Sequence, residues 1–114
     1  VMGLTYKENV PDTRESPVGE MVSELKEFDI DVYGYDPLLA SAEIERFGAK
    51  PVGSLQGLEG PVDCIIVNSP HEAFAGLTLE KVLSMCNGKP IIMDVTGMLR
   101  TNGGVRAGCV YRTL

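Results

Sequence analysis

The chain has 114 residues, 44% hydrophobic and 23% charged, with a formal charge of −6. That is the length and composition of one ordinary globular domain, spanning residues 1–114, and it excludes wholesale disorder. An acidic balance with 6% aromatics argues against general nucleic-acid binding, which runs on Lys and Arg against phosphates, while leaving room for a local basic pocket.

Residues 1–6 (VMGLTY) read as the last half of a strand, as if cut from something longer. The loop KENVPDTRE follows. Ser16-Pro17 then signals a helix start, with Ser as N-cap and Pro in the first turn. Val18, Met21, Val22, Leu25 and Phe28 keep helical spacing and form one apolar stripe. Residues 30–35 (IDVYGY) form a β-like run, and Asp36-Pro37 stops it and could start a second helix. Ala40, Ile44 and Phe47 give that helix a buried face, and Gly48 ends it. A short strand is expected around Pro51-Val52.

Residues 62–68 (VDCIIVN) are almost continuously apolar, which suits a strand covered on both faces of a parallel sheet. Ser69-Pro70-His71-Glu72 has the form of a capping box. Leu79, Val82, Leu83 and Cys86 make another helical stripe, closed by Asn87-Gly88. Residues 90–95 (PIIMDV) are a second doubly buried strand, Asn102-Gly103-Gly104 a turn, and 108–112 a last strand. Strands alternating with short helices imply right-handed crossovers and an α/β fold: a three-layer αβα, doubly wound parallel sheet, Rossmann-like in topology.

In such a sheet a ligand binds beyond the carboxyl ends of the strands, where strand order reverses. The reversal is expected between the first strand and residues 62–68. Tyr6, Lys7, Asn68 to His71 and Asp94 to Gly97 lie just past those ends, with Arg14 in the first loop. Helix starts at Pro17 and Pro70 add free N–H groups, so an anion pocket is expected. The first loop lacks the G-x-G-x-x-G that lets a pyrophosphate touch backbone, so a self-sufficient NAD domain is not expected. Asp36, where an NAD domain keeps its ribose acid, is read as a cap of the second helix. Two readings stay open for Lys7, an anion contact or a solvated loop lysine. Two stay open for Arg14, an anion contact or an ion pair with Asp12 or Glu15. His71 is read as structural and Asp94 as holding a loop backbone. Cys64, Cys86 and Cys109 form no CxxC, suit a reducing compartment and are read as inert core thiols. No metal site is expected. No apolar run approaches the roughly 20 residues that span a bilayer.

The segment GLTYKENVPDTRESP, through Gly3, Tyr6, Lys7, Asp12, Arg14, Ser16 and Pro17, resembles the opening of the C-terminal, UDP-binding domain of UDP-glucose/GDP-mannose dehydrogenases. The resemblance continues through VYGYDP at 32–37, DCIIVNSPHEAF at 63–74 and IIMDVTGML at 91–99. It implies a domain of a cytoplasmic, homo-oligomeric enzyme of polysaccharide biosynthesis. That enzyme oxidises the C6 hydroxyl of a nucleotide sugar to a carboxylate in two NAD-dependent steps. An N-terminal domain would bind NAD, and a central helical domain would carry the catalytic Cys. Tyr6 and Lys7 would contact the UDP-sugar, and Arg14 would reach across to NAD.

Thr96 stands where the glucose branch of that family carries a substrate Arg. D-x-x-G at Asp94 to Gly97 looks like the branch acting on UDP-N-acetyl-hexosamines, especially UDP-N-acetylmannosamine. Arg100 and Arg106 are not carried over as substitutes. None of the three cysteines lies in the catalytic motif, so no catalytic residue is assigned and the chain alone is expected to be inactive. The alternative is a stand-alone nucleotide-sensing or interaction module.

Overall fold

A computed structural model describes residues 1–58, 60–99 and 108–114. The turn at Asn102-Gly103-Gly104 and the side chains of Arg100 and Arg106 lie outside the described residues. The N-cap of the first helix is Pro17 and not, as expected, Ser16. The Ser16 Oγ accepts from the Val18 N–H at 3.3 Å and donates to the Leu4 carbonyl at 2.6 Å. Helix α1 covers Val18–Glu27. Val18 and Val22, one turn apart, are fully buried, with Met21 and Leu25 packed beside them. Phe28 departs from the expected stripe and is 77% exposed. The helix has ended at Glu27, and Asp29, at φ 59°, turns the chain through the left-handed conformation common after a helix.

Strand β1 is Tyr33–Gly34, α2 is Ser41–Arg46 and β2 is Lys50–Pro51. The run 30–35 therefore keeps only two ladder residues. Helix α2 starts at Ser41 and not at Asp36-Pro37; Asp36 heads a short turn, its Oδ1 accepting from the Leu38 N–H at 2.9 Å and its carbonyl from the Leu39 N–H at 3.2 Å. Glu43 Oε1 takes the N–H at the helix entrance instead, that of Ala40, at 3.1 Å. Ile44 is buried and Phe47 half-buried, while Ala40 is exposed. Gly48, at φ 89°, follows the helix end as expected.

Strand β3 is Val62–Val67, followed by a 3-10 turn at Glu72–Phe74, α3 at Leu79–Leu83, β4 at Cys86–Asp94 and β5 at Val110–Thr113. The capping box expected at 69–72 does not form. The Ser69 hydroxyl donates to the Thr5 carbonyl, and Thr78 caps α3 by accepting from the Lys81 N–H at 3.2 Å. Cys86 leaves the helical stripe and opens β4, paired with Val62. Sheet pairing has overridden a helical spacing at that point.

Residues 1–3 sit in the middle of the sheet. The Tyr35 N–H donates to the Val1 carbonyl and the Gly3 N–H to the Tyr35 carbonyl, both at 2.9 Å. On the other side, the Met2 N–H donates to the Ile66 carbonyl at 2.8 Å and the Asn68 N–H to the Met2 carbonyl at 2.9 Å. Met2 thus bridges β1 and β3 in parallel. The spatial order becomes β2, β1, residues 1–3, β3, β4, β5, all parallel. Strand order reverses between residues 1–3 and β3, as expected for a doubly wound sheet.

Two cores follow from this winding. Val1, Leu4, Val18, Val22, Ile44 and Ala49 join α1 and α2 to one side. Met2, Ile65, Val67 and Ile92 meet Phe74, Leu79 and Val82 on the other. The strand at 62–67, expected to be covered on both faces, is covered on one along part of its length. Cys64 and Ile91, paired in register, are both exposed.

Candidate functional site

The chain leaves the sheet at Gly3. Its φ is 77°, and a Cβ there would lie 2.5 Å from the Ser69 carbonyl oxygen. Only a glycine lets strand 1–3 and the segment after β3 approach this closely. The loop that follows encloses a shallow cleft of about 420 Å³, lined by Tyr6, Lys7, Val10, Asp12, Arg14 and Glu15. The three residues singled out in the sequence, Tyr6, Lys7 and Arg14, therefore come together around one space at the switch point. Tyr6 is 66% exposed. Lys7 is exposed and makes no ion pair among the described residues.

Arg14 is engaged locally. Its Nε and Nη2 lie 3.0 and 2.9 Å from the two carboxylate oxygens of Asp12. The Arg14 backbone N–H also donates to Asp12 Oδ1 at 3.0 Å. These hydrogen bonds hold the Asp12 carboxyl down at about 2, and the same pairing raises the guanidinium. Both side chains face solvent, so the pair orients Arg14 more than it stabilises the fold.

Beneath the loop lies a buried polar network that sequence reasoning did not assemble. The Asn68 amide donates to the carbonyls of Gly3 and Thr5 at 3.1 and 3.2 Å. The Thr5 hydroxyl has one proton, and the Lys7 carbonyl at 2.8 Å is its acceptor. Asp36, read in the sequence as a helix cap, instead accepts from the N–H groups of Leu4 at 2.8 Å and Leu38 at 2.9 Å. Its Oδ2 also lies 3.0 Å from His71 Nε2. The signal that could have found this was modest: Asp36 and Asn68 both stand at strand ends beside the switch point.

Asp94 is fully buried and accepts from the N–H groups of Met98 and Leu99 at 3.1 and 2.7 Å, holding the turn after β4. Thr96 is exposed on that turn. Of the cysteines, read together as core thiols, Cys109 is buried, Cys86 is half-buried and Cys64 is exposed on the uncovered face of β3. Partial burial, first of all, pushes the Cys64 and Cys86 thiols up, away from reactive thiolates.

The sequence signature of the UDP-glucose/GDP-mannose dehydrogenase family, UDP binding domain, matches residues 1–101. The chain belongs to that family. The UDP binding domain is 35% identical, over its whole length, to the UDP-N-acetyl-D-mannosamine dehydrogenase of Methanococcus vannielii, of which it covers 26%. It is 32% identical, over 87% of its length, to the UDP-N-acetyl-D-glucosamine 6-dehydrogenase of Pseudomonas aeruginosa, of which it covers 23%. The domain thus spans about a quarter of the length of these relatives. In fold it is similar to the NDP-N-acetyl-D-galactosaminuronic acid dehydrogenase of Methanosarcina mazei, with a TM-score of 0.79 at 18% identity, over 98% of this chain and 23% of that one. Among the described residues no helix is long and apolar enough to cross a membrane.

The described residues at the end of the first strand do not fit a dinucleotide cradle. The glycine there is packed against the Ser69 backbone and opens no space for a pyrophosphate. Arg14 offers a single exposed guanidinium, whose fork fits a phosphate as well as it fits Asp12.

Proposed function

We propose that residues 1–114 are the C-terminal, substrate-holding domain of an NAD-dependent UDP-sugar 6-dehydrogenase of the UDP-N-acetylmannosamine type. The reaction is oxidation of the sugar C6 hydroxyl to the uronate, in the cytoplasm, for polysaccharide biosynthesis. Catalytic cysteine and NAD site belong to N-terminal and central domains outside this chain, in a homo-oligomer, and the chain alone is inactive. NAD, where bound, supplies the hydride acceptor. The observation that carries this reading is the gathering of Tyr6, Lys7 and Arg14 around one cleft at the switch point.

In this reading Lys7, which makes no ion pair among the described residues, neutralises the UDP diphosphate, and Tyr6 lies along the nucleotide. Arg14 exchanges Asp12 for a phosphate of NAD across the domain boundary. The role is binding: energy gathered from the nucleotide positions the sugar at a distant reacting centre. The relatives' names support the acetylated-hexosamine branch, and Thr96 in place of an Arg agrees with it.

The test is an NMR titration of the chain with UDP into the millimolar range. Saturable shifts at Tyr6, Lys7 and residues 69–71, lost in Lys7→Ala, are expected. Absence of saturable shifts, or shifts indifferent to Lys7, would count against the reading.

A further inference from the structure

His71 is 1% exposed, and both its ring nitrogens are engaged. Nδ1 accepts from the Asn9 backbone N–H at 2.9 Å, so it carries no proton. The proton therefore sits on Nε2 and is donated to Asp36 Oδ2 at 3.0 Å. Asp36 is itself fixed by the N–H groups of Leu4 and Leu38. The ring packs on Phe74, 5.5 Å between centroids. One neutral tautomer is thus selected, and it grips one point of the cleft loop.

That point closes the stretch of loop that carries Tyr6 and Lys7, and the cleft lining resumes at Val10. Asn9 is exposed and stands at φ 62°, and it is held twice, by His71 through its N–H and by the Glu72 N–H on its side-chain oxygen at 2.7 Å. The near end, Thr5, is buried and tied to Asn68 and Ser69. Tyr6, Lys7 and Glu8, all exposed, span the gap between two anchors that both fasten to residues 68–72. A loop held at both ends presents its cation with less ordering cost on binding.

We propose that His71 is a positioning residue for nucleotide binding, holding the Lys7 segment in place through the Asn9 N–H. The proposal rests on the cleft being the nucleotide site. Its chemistry can be split in two. An Asn at this position keeps an acceptor near the place of Nδ1, and a Gln keeps a donor near the place of Nε2. His71→Gln therefore frees the loop, whereas His71→Asn keeps the grip on Asn9 and gives up the link to Asp36. A side chain that served only the fold would make the two variants alike at the loop.

The experiment compares the 114-residue chain with both variants by backbone 15N relaxation and UDP titration. In His71→Gln, order parameters at residues 6–9 are expected to fall from about 0.85 towards 0.6. UDP is expected to bind about tenfold more weakly, the effect of one neutral hydrogen bond. His71→Asn should stay within about threefold of the parent, since it retains that bond. A loop as rigid in His71→Gln as in the parent, or equal UDP affinity, would overturn the proposal. Should His71→Gln not fold, the parent's imidazole 15N spectrum decides: Nδ1 protonated, or unmoved by UDP, overturns it. A parent chain that binds no UDP removes the nucleotide reading, and loop order in His71→Gln then shows separately whether His71 positions the loop.

Discussion

Gly3 and Ser69 meet so closely that a single added carbon on Gly3 would lie 2.5 Å from the Ser69 carbonyl oxygen and 2.8 Å from its Cβ. The contact joins the central strand to the segment after β3 at the point where strand order reverses. Gly3→Ala must bear both a left-handed backbone and a steric clash, together about 2–5 kcal/mol. Urea unfolding should show a matching fall in midpoint, with the loop amides of 4–9 shifting first in the NMR spectrum.

Asp12 should titrate near 2 in a pH series of carboxyl resonances. Its native value lies below its ordinary 3.8, so any stabilisation it lends is complete above about 4 and is lost as pH falls through about 2. Arg14→Ala removes the hydrogen bonds that depress it, and the midpoint should return to the ordinary carboxylate range. An unchanged midpoint would show that Arg14 is not its partner in solution.

Lys7→Ala, placed in a full-length enzyme of this family that carries the same loop, should raise KM for the UDP-sugar more than it lowers kcat. An interaction with the nucleotide end is made equally in ground and transition states. Steady-state kinetics with the UDP-sugar varied would check this, and unchanged kinetics would remove Lys7 from the site.

Asp94→Ala should destabilise the domain by about 1–3 kcal/mol, because the N–H groups of Met98 and Leu99 lose their buried acceptor. Thr96→Ala, on the same turn but exposed, should stay within about 0.5 kcal/mol of the parent. Thermal melts of the two variants side by side make the comparison.

Val22 and Phe28 make a second contrast, between two residues placed on one stripe by spacing. Val22→Ala should cost about 1–3 kcal/mol, because Val22 is fully buried. Phe28→Ala should be nearly neutral, within about 0.5 kcal/mol, because the ring faces water. Chemical denaturation of both variants reads the difference.

The sequence alone determined what depends on neighbours along the chain. Val18 and Val22 four apart marked α1, Gly48 marked the end of α2, and the apolar run ending at Val67 marked a parallel strand. The loop from Gly3 to Pro17 placed Tyr6, Lys7 and Arg14 together because one strand end and one helix start fix both ends of it. The tertiary structure decided what depends on residues far apart in the chain. Spacing could not tell that Phe28 falls beyond the helix end, or that Cys86 pairs with Val62. Nor could it tell that Asp36 turns from a helix start to His71, 35 residues away. A buried carboxylate takes whichever N–H groups the packed chain brings within 3 Å, because leaving any of them unpaired costs more than a local cap returns. That choice is made only when strand 1–3, β1 and the segment after β3 have closed around it.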